Sequence, residues 1–318
     1  LDTITLDIIK SSEIEGEKLN KAQVRSSIAR RLGIEVAGLV PSARNIDGIV
    51  EMMLDATQRY ETPLTEERLF GWHAALFPTG YSGAYKIDVA SYRKGEMQIV
   101  SGAMGKEKVH YEAVEAGKVK QEMVSFLKWF HSENNQLDSV LKAAIAHLWF
   151  VTIHPFDDGN GRIARTITDM LLARSDESKL RFYSMSAQIL KERKKYYDIL
   201  EKTQHNSDKD ITLWLGWFLN CLHRALLASE KTLQSVLQKA EFWNRNAKTN
   251  FNDRQIKVLN RLLDGDFQGK LQSSKWAKIG KCSQDTATRD IKDLIRKGIL
   301  RQDEQGGRST TYSLIPFT

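Results

Sequence analysis

The sequence predicts a mainly α protein: a helical bundle with one β-hairpin, followed by a small C-terminal domain. Three observations carry this. Apolar residues return every three or four positions in segment after segment, the period of amphipathic helices. Leu137–Ile153 is apolar almost all round (Leu141, Ala143, Ala144, Ile145, Ala146, Leu148, Trp149, Phe150, Val151), as a helix in the middle of a bundle must be. Glycines recur over 78–112 (Gly80, Gly83, Gly95, Gly102, Gly105) around one short extended run, Met97–Ser101, which reads as a hairpin. At 318 residues there is room for about two domains. The divisions expected are an N-terminal helical region over 1–60, a central domain over 61–243 and a C-terminal domain over 251–318.

In chain order, the first helix is expected at Asp7–Ile14, with Gly16 as its stop. Glu15 falls in its last turn, where the helix dipole disfavours an unpaired carboxylate; the plain alternative is an exposed surface glutamate. Ala22–Leu32 is a second helix, ending at Gly33. Ile46–Tyr60 is a third, with Ile46, Ile49, Val50, Met53 and Leu54 on one stripe. Glu66–Phe77 follows Pro63, and its Leu69, Trp72, His73 and Leu76 read as core. Val119–His131 is amphipathic. His147 in the apolar helix is expected in the core. Tyr183–Leu200 and Ile211–Ser229 read as two more helices, with the charge run 191–195 as a solvated face and Trp214 and Trp217 as core.

The chemistry is concentrated in His154–Arg165, His-Pro-Phe-Asp-Asp-Gly-Asn-Gly-Arg-Ile-Ala-Arg. Gly159-Asn160-Gly161 can turn tightly and aim backbone N–H groups at an anion. Ile163, Ile167, Met170 and Leu171 repeat at helical spacing, so a helix starts here and turns its positive end to the same anion. Arg162 and Arg165, one turn apart, suit further phosphates. Asp158 is a hard oxygen ligand suited to Mg²⁺. His154 stands before the turn, where an imidazole can take a proton from a hydroxyl. Each residue alone has a structural explanation; their fixed spacing between two apolar helices favours a site.

These residues resemble the signature of the Fic family, His-x-Phe-x-(Asp/Glu)-Gly-Asn-Gly-Arg-x-x-Arg, at His154, Phe156, Asp158, Gly159, Asn160, Gly161, Arg162 and Arg165. The resemblance implies a Fic-type bundle that transfers AMP from ATP-Mg to a Tyr, Thr or Ser hydroxyl of a target protein. His154 is then the base, Asp158 the metal ligand, and Gly159 to Gly161 with both arginines the phosphate site. Gly159, where the related death-on-curing proteins have alanine, implies nucleotidyl transfer rather than phosphorylation. Ser11, Glu15 and Gly16 resemble the family's inhibitory motif, (Ser/Thr)-x-x-x-Glu-(Gly/Asn), which implies that Glu15 competes with ATP for Arg165. By the same resemblance Ile99, Val100, Ser101 and Gly102 form a flap over the nucleotide, which aligns the target by strand addition. Tyr196, Tyr197 and Gln204 resemble the adenine and ribose side; helix packing is the plain alternative for the tyrosine pair.

At the C-terminal end, Arg254–Leu263, Ser273–Ile279 and Ser283–Arg296 read as three helices. A two-stranded wing follows, with a turn at Gln305-Gly306-Gly307. This resembles a winged helix-turn-helix domain, which implies possible groove contacts from Gln284, Thr288, Arg289 and Lys292 and a phosphate contact from Arg308. The whole chain carries 47 Lys+Arg against 40 Asp+Glu, a net +7, and +5 of it falls within 251–318. That charge suits DNA and equally a protein-docking module of the same fold.

Cys221 and Cys282 lack metal-ligand spacing and read as thiols in a reducing compartment. No run is long enough to span a bilayer and no signal peptide is visible, so a cytoplasmic protein without a membrane partner is expected. The start at Leu1 rather than methionine leaves room for a preceding segment. The partners implied are a target protein (the chain itself included), DNA and a second copy in a homodimer. Two other functions fit the same motifs: a DNA-binding regulator whose pocket senses ATP, and an enzyme that removes AMP with Glu15 positioning water.

Overall fold

The computed structural model describes all residues except 36, 102–107, 133–136, 265, 266, 268, 304–309, 317 and 318. The chain divides into two compact units, Leu1–Ser229 and Glu230–Thr318. In order, the first contains α1 (Asp2–Ile14), α2 (Lys21–Leu32), α3 (Arg44–Gln58), α4 (Glu66–Leu76), β1 (Tyr81–Ser82), β2 (Tyr85–Lys86), β3 (Gln98–Ser101) and β4 (Lys108–Glu112). It continues with α5 (Val119–Phe130), α6 (Ser139–Ile153), α7 (Asn160–Ser175), α8 (Met185–Lys191), α9 (Arg193–Gln204) and the first part of α10 (Thr212–Arg245).

Local chemistry sets the helix ends. The Asn20 side chain accepts from the Gln23 N–H at 3.1 Å to start α2, and Gly33, at φ +65°, ends it. Asp138 caps α6 by accepting from the N–H groups of Val140 and Leu141. Between α6 and α7 lies the loop 154–159, and both helices pack against one another in the core. Phe150, Phe156, Ile163 and Ile167 are completely buried there, in one hydrophobic cluster with Ile8 and Ile14 of α1 and Val50 of α3. The first sixty residues thus share a core with the rest of this unit.

Four elements differ from the expectations. The first helix starts at Asp2, five residues before the expected Asp7. A short ribbon, β1–β2, precedes the expected hairpin. The segment expected as one helix over 183–200 is two, broken at Glu192 (φ −112°, ψ 21°). The Glu192 carboxylate is gripped by both arms of Arg224 at 2.7 and 2.6 Å, a long-range tie that holds the break. The helix expected to stop at Ser229 runs on to Arg245.

The second unit holds the rest of α10, α11 (Asp253–Leu263), α12 (Ser273–Gly280), α13 (Gln284–Arg296), and the antiparallel pair β5 (Leu300–Gln302) and β6 (Tyr312–Leu314). A capping box between Asn252 and Gln255 opens α11. Trp276, Val258, Leu259, Ile291, Leu294 and Leu300 are buried together in its own core. The turn expected at Gln305-Gly306-Gly307 lies outside the described residues.

One contact in the first unit leaves no space for a methyl group. A Cβ built on Gly48 of α3 falls 1.8 Å from the Ala75 carbonyl oxygen of α4, so these backbones touch only because residue 48 is glycine. Gly48→Ala should cost about 1–3 kcal/mol in denaturant unfolding. Gly71→Ala, in α4 with nothing within 4 Å of the new methyl, should be neutral or gain up to about 1 kcal/mol. Equal effects of the two substitutions would contradict the close approach.

Candidate functional site

The loop between α6 and α7 is built by its own sequence. His154 caps α6 in the left-handed region (φ 53°, ψ 59°), and Gly159 opens α7 at φ +82°. A Cβ on Gly159 would also meet Phe77 Cε2 at 2.9 Å, so glycine is required twice over. Between them, Asn160 ties the loop to itself. Its Oδ1 accepts from the Phe156 N–H at 3.0 Å and its Nδ2 donates to the Phe156 carbonyl at 2.8 Å. Both polar ends of the amide are engaged inside the loop, so the side chain shapes the turn. The N–H groups of the first turn of α7 lack helical partners by position, which makes this end receptive to an anion.

What occupies that end is a carboxylate of the same chain. Glu15, the residue after α1, places Oε1 only 2.2 Å from where a Cβ on Gly161 would stand. The same oxygen takes a hydrogen bond from Arg165 Nη2 at 2.7 Å. Ser11 completes the grip: Arg165 Nε donates to its hydroxyl at 2.9 Å and Nη2 to its carbonyl at 3.0 Å. Arg165 is only 2% exposed, and its Nη1 has no hydrogen-bond partner among the described residues. Burial works against this charge, yet the Glu15 carboxylate holds the guanidinium above its ordinary pKa.

Arg162 is held in parallel. Its Nη1 pairs with Glu17 Oε2 at 2.8 Å, its Nη2 lies 3.8 Å from Asp158 Oδ2, and its guanidinium stacks 5.1 Å above the Phe77 ring. Asp158 accepts from the Gly159 N–H at 2.6 Å and from the Ser82 hydroxyl of β1.

His154 is half-buried, and its Nδ1 lies 3.2 Å from the Val151 carbonyl. Donation from Nδ1 leaves Nε2 as the unprotonated nitrogen. Burial is the main cause that lowers the imidazole pKa, helped by Arg93 and opposed by the Val151 carbonyl, Glu15 and Asp158. The ring is therefore neutral and able to accept a proton near pH 7.

A cavity of about 900 Å³ is lined among others by Glu15, Ile99, His154, Gly161, Tyr197 and Gln204, whereas Asp158, Asn160, Arg162 and Arg165 are not part of its lining. Ile99 belongs to the β3–β4 hairpin, which pairs Gln98 with Glu112 and Ser101 with Lys108 and shifts register between Ile99 and Val100. Val100 and Ser101 are in β3, while Gly102 lies outside the described residues.

Of the other expected residues, Tyr196 is placed differently, while His73 and His147 lie in the core as expected. Tyr196 touches the cavity but is 2% exposed, and its hydroxyl bonds His147 Nε2 at 2.9 Å, so it is a core residue. Tyr197, one position on and 38% exposed, is the aromatic that can meet a ligand. Gln204 donates to the Thr152 hydroxyl at 3.2 Å. His147 and His73 are both fully buried; burial drives them to about 3 and about 4, and His73 stacks on Phe156 with centroids 4.2 Å apart. In the second unit, Gln284, Arg289 and Lys292 are exposed on α13, although Gln284 donates to Ser273 Oγ at 2.9 Å. Thr288 is half-buried and donates to the Gln284 carbonyl at 2.9 Å. Arg308 lies outside the described residues. Glu17 and Arg93 were not expected at the site. Neither has a local pattern, since Glu17 meets Arg162 across 145 positions of sequence.

The central part of the chain is similar to known proteins. Residues 63–172 match the Fic/DOC family. The chain carries a Fic domain. Residues 1–34 match a domain of unknown function, DUF4172, so that segment contains Ser11, Glu15 and Glu17. The protein adenylyltransferase Fic of Drosophila melanogaster is 24% identical over 238 residues, covering 69% of this chain and 40% of that protein. The Aedes aegypti protein of the same name is 26% identical over 227 residues, with the same coverage. The chain thus spans about two-fifths of the length of these relatives. Among solved structures, a Fic family protein from Desulfovibrio desulfuricans G20 aligns over 100% of this chain and 87% of its own, with a TM-score of 0.55 and 20% identity. A Fic domain containing signaling protein from Bacteroides thetaiotaomicron VPI-5482 covers 72% of this chain and 86% of its own, with a TM-score of 0.52 and 22% identity. At these identities the two structures establish the fold.

The N-terminal segment is fastened to α7 by a buried charge cluster. Arg181 Nη2 bonds Asp7 of α1 at 3.0 Å and Asp169 of α7 at 2.7 Å, and the Ser184 hydroxyl donates to Asp7 at 2.6 Å. Two acids share one cation here. Burial, and then Asp169, push the Asp7 carboxyl up to about 7. The folded state thus holds a proton that the unfolded chain releases near its ordinary value of 3.8. Stability from this group is present in full below that value and is lost as pH rises towards about 7. Asp7→Asn, which imitates the protonated form, should lose less melting temperature than the wild type between pH 5 and pH 8. Parallel pH curves would refute the linkage.

Proposed function

We propose that the chain is a protein adenylyltransferase that moves AMP from ATP to a Tyr, Thr or Ser hydroxyl of a target protein, and that Glu15 holds it inhibited. The observation that carries this reading is the Glu15 carboxylate seated against Gly161 and on Arg165, an anion of the chain itself where a phosphate would bind. The names of the Drosophila and Aedes relatives support the same chemistry.

In this reading the N-terminal end of α7 and Arg165 bind phosphate oxygens, with Arg162 as the second cation. Asn160 keeps the turn open through its ties to Phe156. Tyr197 offers a face to the base. The edge of β3 aligns the target by backbone pairing. His154 takes the proton of the target hydroxyl; its oxygen bonds to the α-phosphorus as the bond to pyrophosphate breaks. A carboxylate beside an anion site suits Mg²⁺, which binds through one or two carboxylates together with substrate phosphates. Asp158 would hold the ion, whose chemistry is neutralisation of phosphate charge.

Glu15→Gly should raise AMP transfer roughly 5- to 150-fold, the usual range of a coupling between competing sites. Adding His154→Ala should then lower it about 10²- to 10⁴-fold without unfolding the chain. Mass spectrometry of lysate proteins incubated with ATP and Mg²⁺, searched for added AMP, measures both. Equal transfer by wild type and Glu15→Gly would reject the inhibition, and full transfer without His154 would reject the base.

Glu17 adds a second contact of the same kind, on Arg162. This pair is partly exposed, with Glu17 at 36%, so its effect is smaller. In the Glu15→Gly chain, Glu17→Gln should tighten ATP binding about two- to fivefold by calorimetry. Unchanged affinity would remove Glu17 from the inhibitory machinery.

For residues 251–318 we keep a winged helix reading with DNA as a partner, supported by the exposed Gln284, Arg289 and Lys292 on one helix.

A further inference from the structure

Arg93 is a buried cation without a carboxylate partner among the described residues. It is 2% exposed, and its guanidinium is satisfied by backbone carbonyls alone. Nε donates to the His154 carbonyl at 2.7 Å, and Nη2 reaches Ile153 O at 3.4 Å, at the end of α6. Nη1 donates to Gly95 O at 2.8 Å, and Nη2 also donates to Val114 O. Its backbone N–H donates to the Pro155 carbonyl at 2.9 Å.

The acceptors fall into two groups. Ile153, His154 and Pro155 form the corner on which the imidazole stands. Gly95 and Val114 flank the β3–β4 hairpin, just before Gln98 and just after Glu112. From these contacts we propose that Arg93 is a positioning residue: it fastens both ends of the hairpin to the corner that carries His154. The inference rests on the adenylyltransferase reading for the base role of His154, and the contacts themselves do not.

The physical case has three parts. His154 is a non-glycine residue at φ 53°, a conformation that costs about 1–2 kcal/mol and persists only where the surroundings enforce it. A guanidinium presents five donors in a rigid plane, so it can hold several carbonyls in one fixed arrangement; an ammonium cannot. A cation at the C-terminal end of α6 also faces the negative end of the helix dipole. The link makes base and hairpin one mechanical unit, so the group that lines up the target and the group that deprotonates it keep a common register. Tyr111 of β4 adds a second tie, donating to Thr152 O at 3.2 Å.

The charge of Arg93 acts on the imidazole as well. The charged groups that influence His154 are Arg93, Glu15 at the end of α1 and Asp158 ahead of α7; the acids favour the imidazolium and Arg93 disfavours it. Tyr111 on β4 also lines the cavity.

The test uses the full chain carrying Glu15→Gly, with Arg93→Lys or Arg93→Met added. Three quantities are read: ATP affinity by calorimetry, kcat and KM for AMP transfer, and the His154 pKa by NMR of ring-labelled histidine. For Arg93→Lys, ATP affinity should hold within about twofold while kcat falls roughly 10- to 100-fold, the effect of a displaced reacting group. His154 should then titrate close to the parent value. For Arg93→Met, kcat should fall at least as far and the His154 pKa should rise, moving the acid limb of kcat/KM to higher pH. A folded Arg93→Lys with parental kcat would overturn the proposal. So would a loss of ATP affinity parallel to the loss of kcat, the mark of a general structural role. If Arg93→Met does not fold, Arg93→Lys decides on kcat alone. If the Glu15→Gly parent transfers no AMP, the adenylyltransferase reading fails, and unchanged NMR shifts of the His154 ring and of the β3 and β4 amides in Arg93→Lys would then overturn the positioning role separately.

Discussion

The buried guanidinium of Arg165 sets the terms for everything around it. A charge that is 2% exposed must be compensated within reach, by carbonyls as at Arg93 or, here, by an anion, since an uncompensated buried charge costs several kcal/mol. Two kinds of anion can serve: a carboxylate from the chain or a phosphate from a ligand. Glu15 is the first kind, at 2.7 Å, and its oxygen also lies against Gly161, where the helix end is most receptive. A phosphate in the same pose would need the same guanidinium arm and the same space, so it and the Glu15 carboxylate would exclude each other.

The rest of the N-terminal segment makes that occupancy durable. α1 is not an appended arm: Ile8 and Ile14 are completely buried in the core shared with α6 and α7. Asp7 joins Asp169 on Arg181, so α1 and α7 meet through a charge cluster as well as through apolar packing. A carboxylate on a helix fixed in this way reaches its partner at little entropic cost, because the side chain's anchor is already ordered. Displacing Glu15 therefore requires either rotation of its own short side chain or loosening of a buried helix. The first is a small motion and the second a large one. A competing ligand need only turn the first, whereas the second would require α1 to leave its core packing.

Much of this could be read from the sequence because its chemistry is local. His154 to Arg165 carry their meaning in twelve consecutive residues, and Ser11, Glu15 and Gly16 in six. The helices with a clean apolar stripe, such as Ile46 to Leu54, were placed within a few residues. What escaped depends on distant partners. The break at Glu192 is held by Arg224 from another helix, and Glu17 meets Arg162 only after folding. Arg93 stands beside Lys94 in a loop, and its acceptors are backbone carbonyls, which have no sequence signature at all. Tyr196 is different, because the signal was present. Tyr196, Ile199, Leu200 and Thr203 repeat at helical spacing and form the buried face of α9, which leaves Tyr197 on the outer side.

That buried face bears on the site through His147. Its imidazole bonds Thr168 of α7 at 2.9 Å through Nδ1 and the Tyr196 hydroxyl at 2.9 Å through Nε2, so one ring joins α6, α7 and α9. A hydroxyl can donate or accept at either nitrogen, but a neutral ring needs one of each, and burial together with Arg165 keeps this ring neutral. The positive charge of Arg165 thus has two consequences a few ångströms apart. It attracts the Glu15 carboxylate, and it prevents a second cation from forming behind it. A protonated His147 would add like charge beside a guanidinium already dependent on one carboxylate, and the balance between Glu15 and a phosphate would then depend on pH. With His147 fixed as a neutral bridge, the Arg165–Glu15 pair is free of that influence.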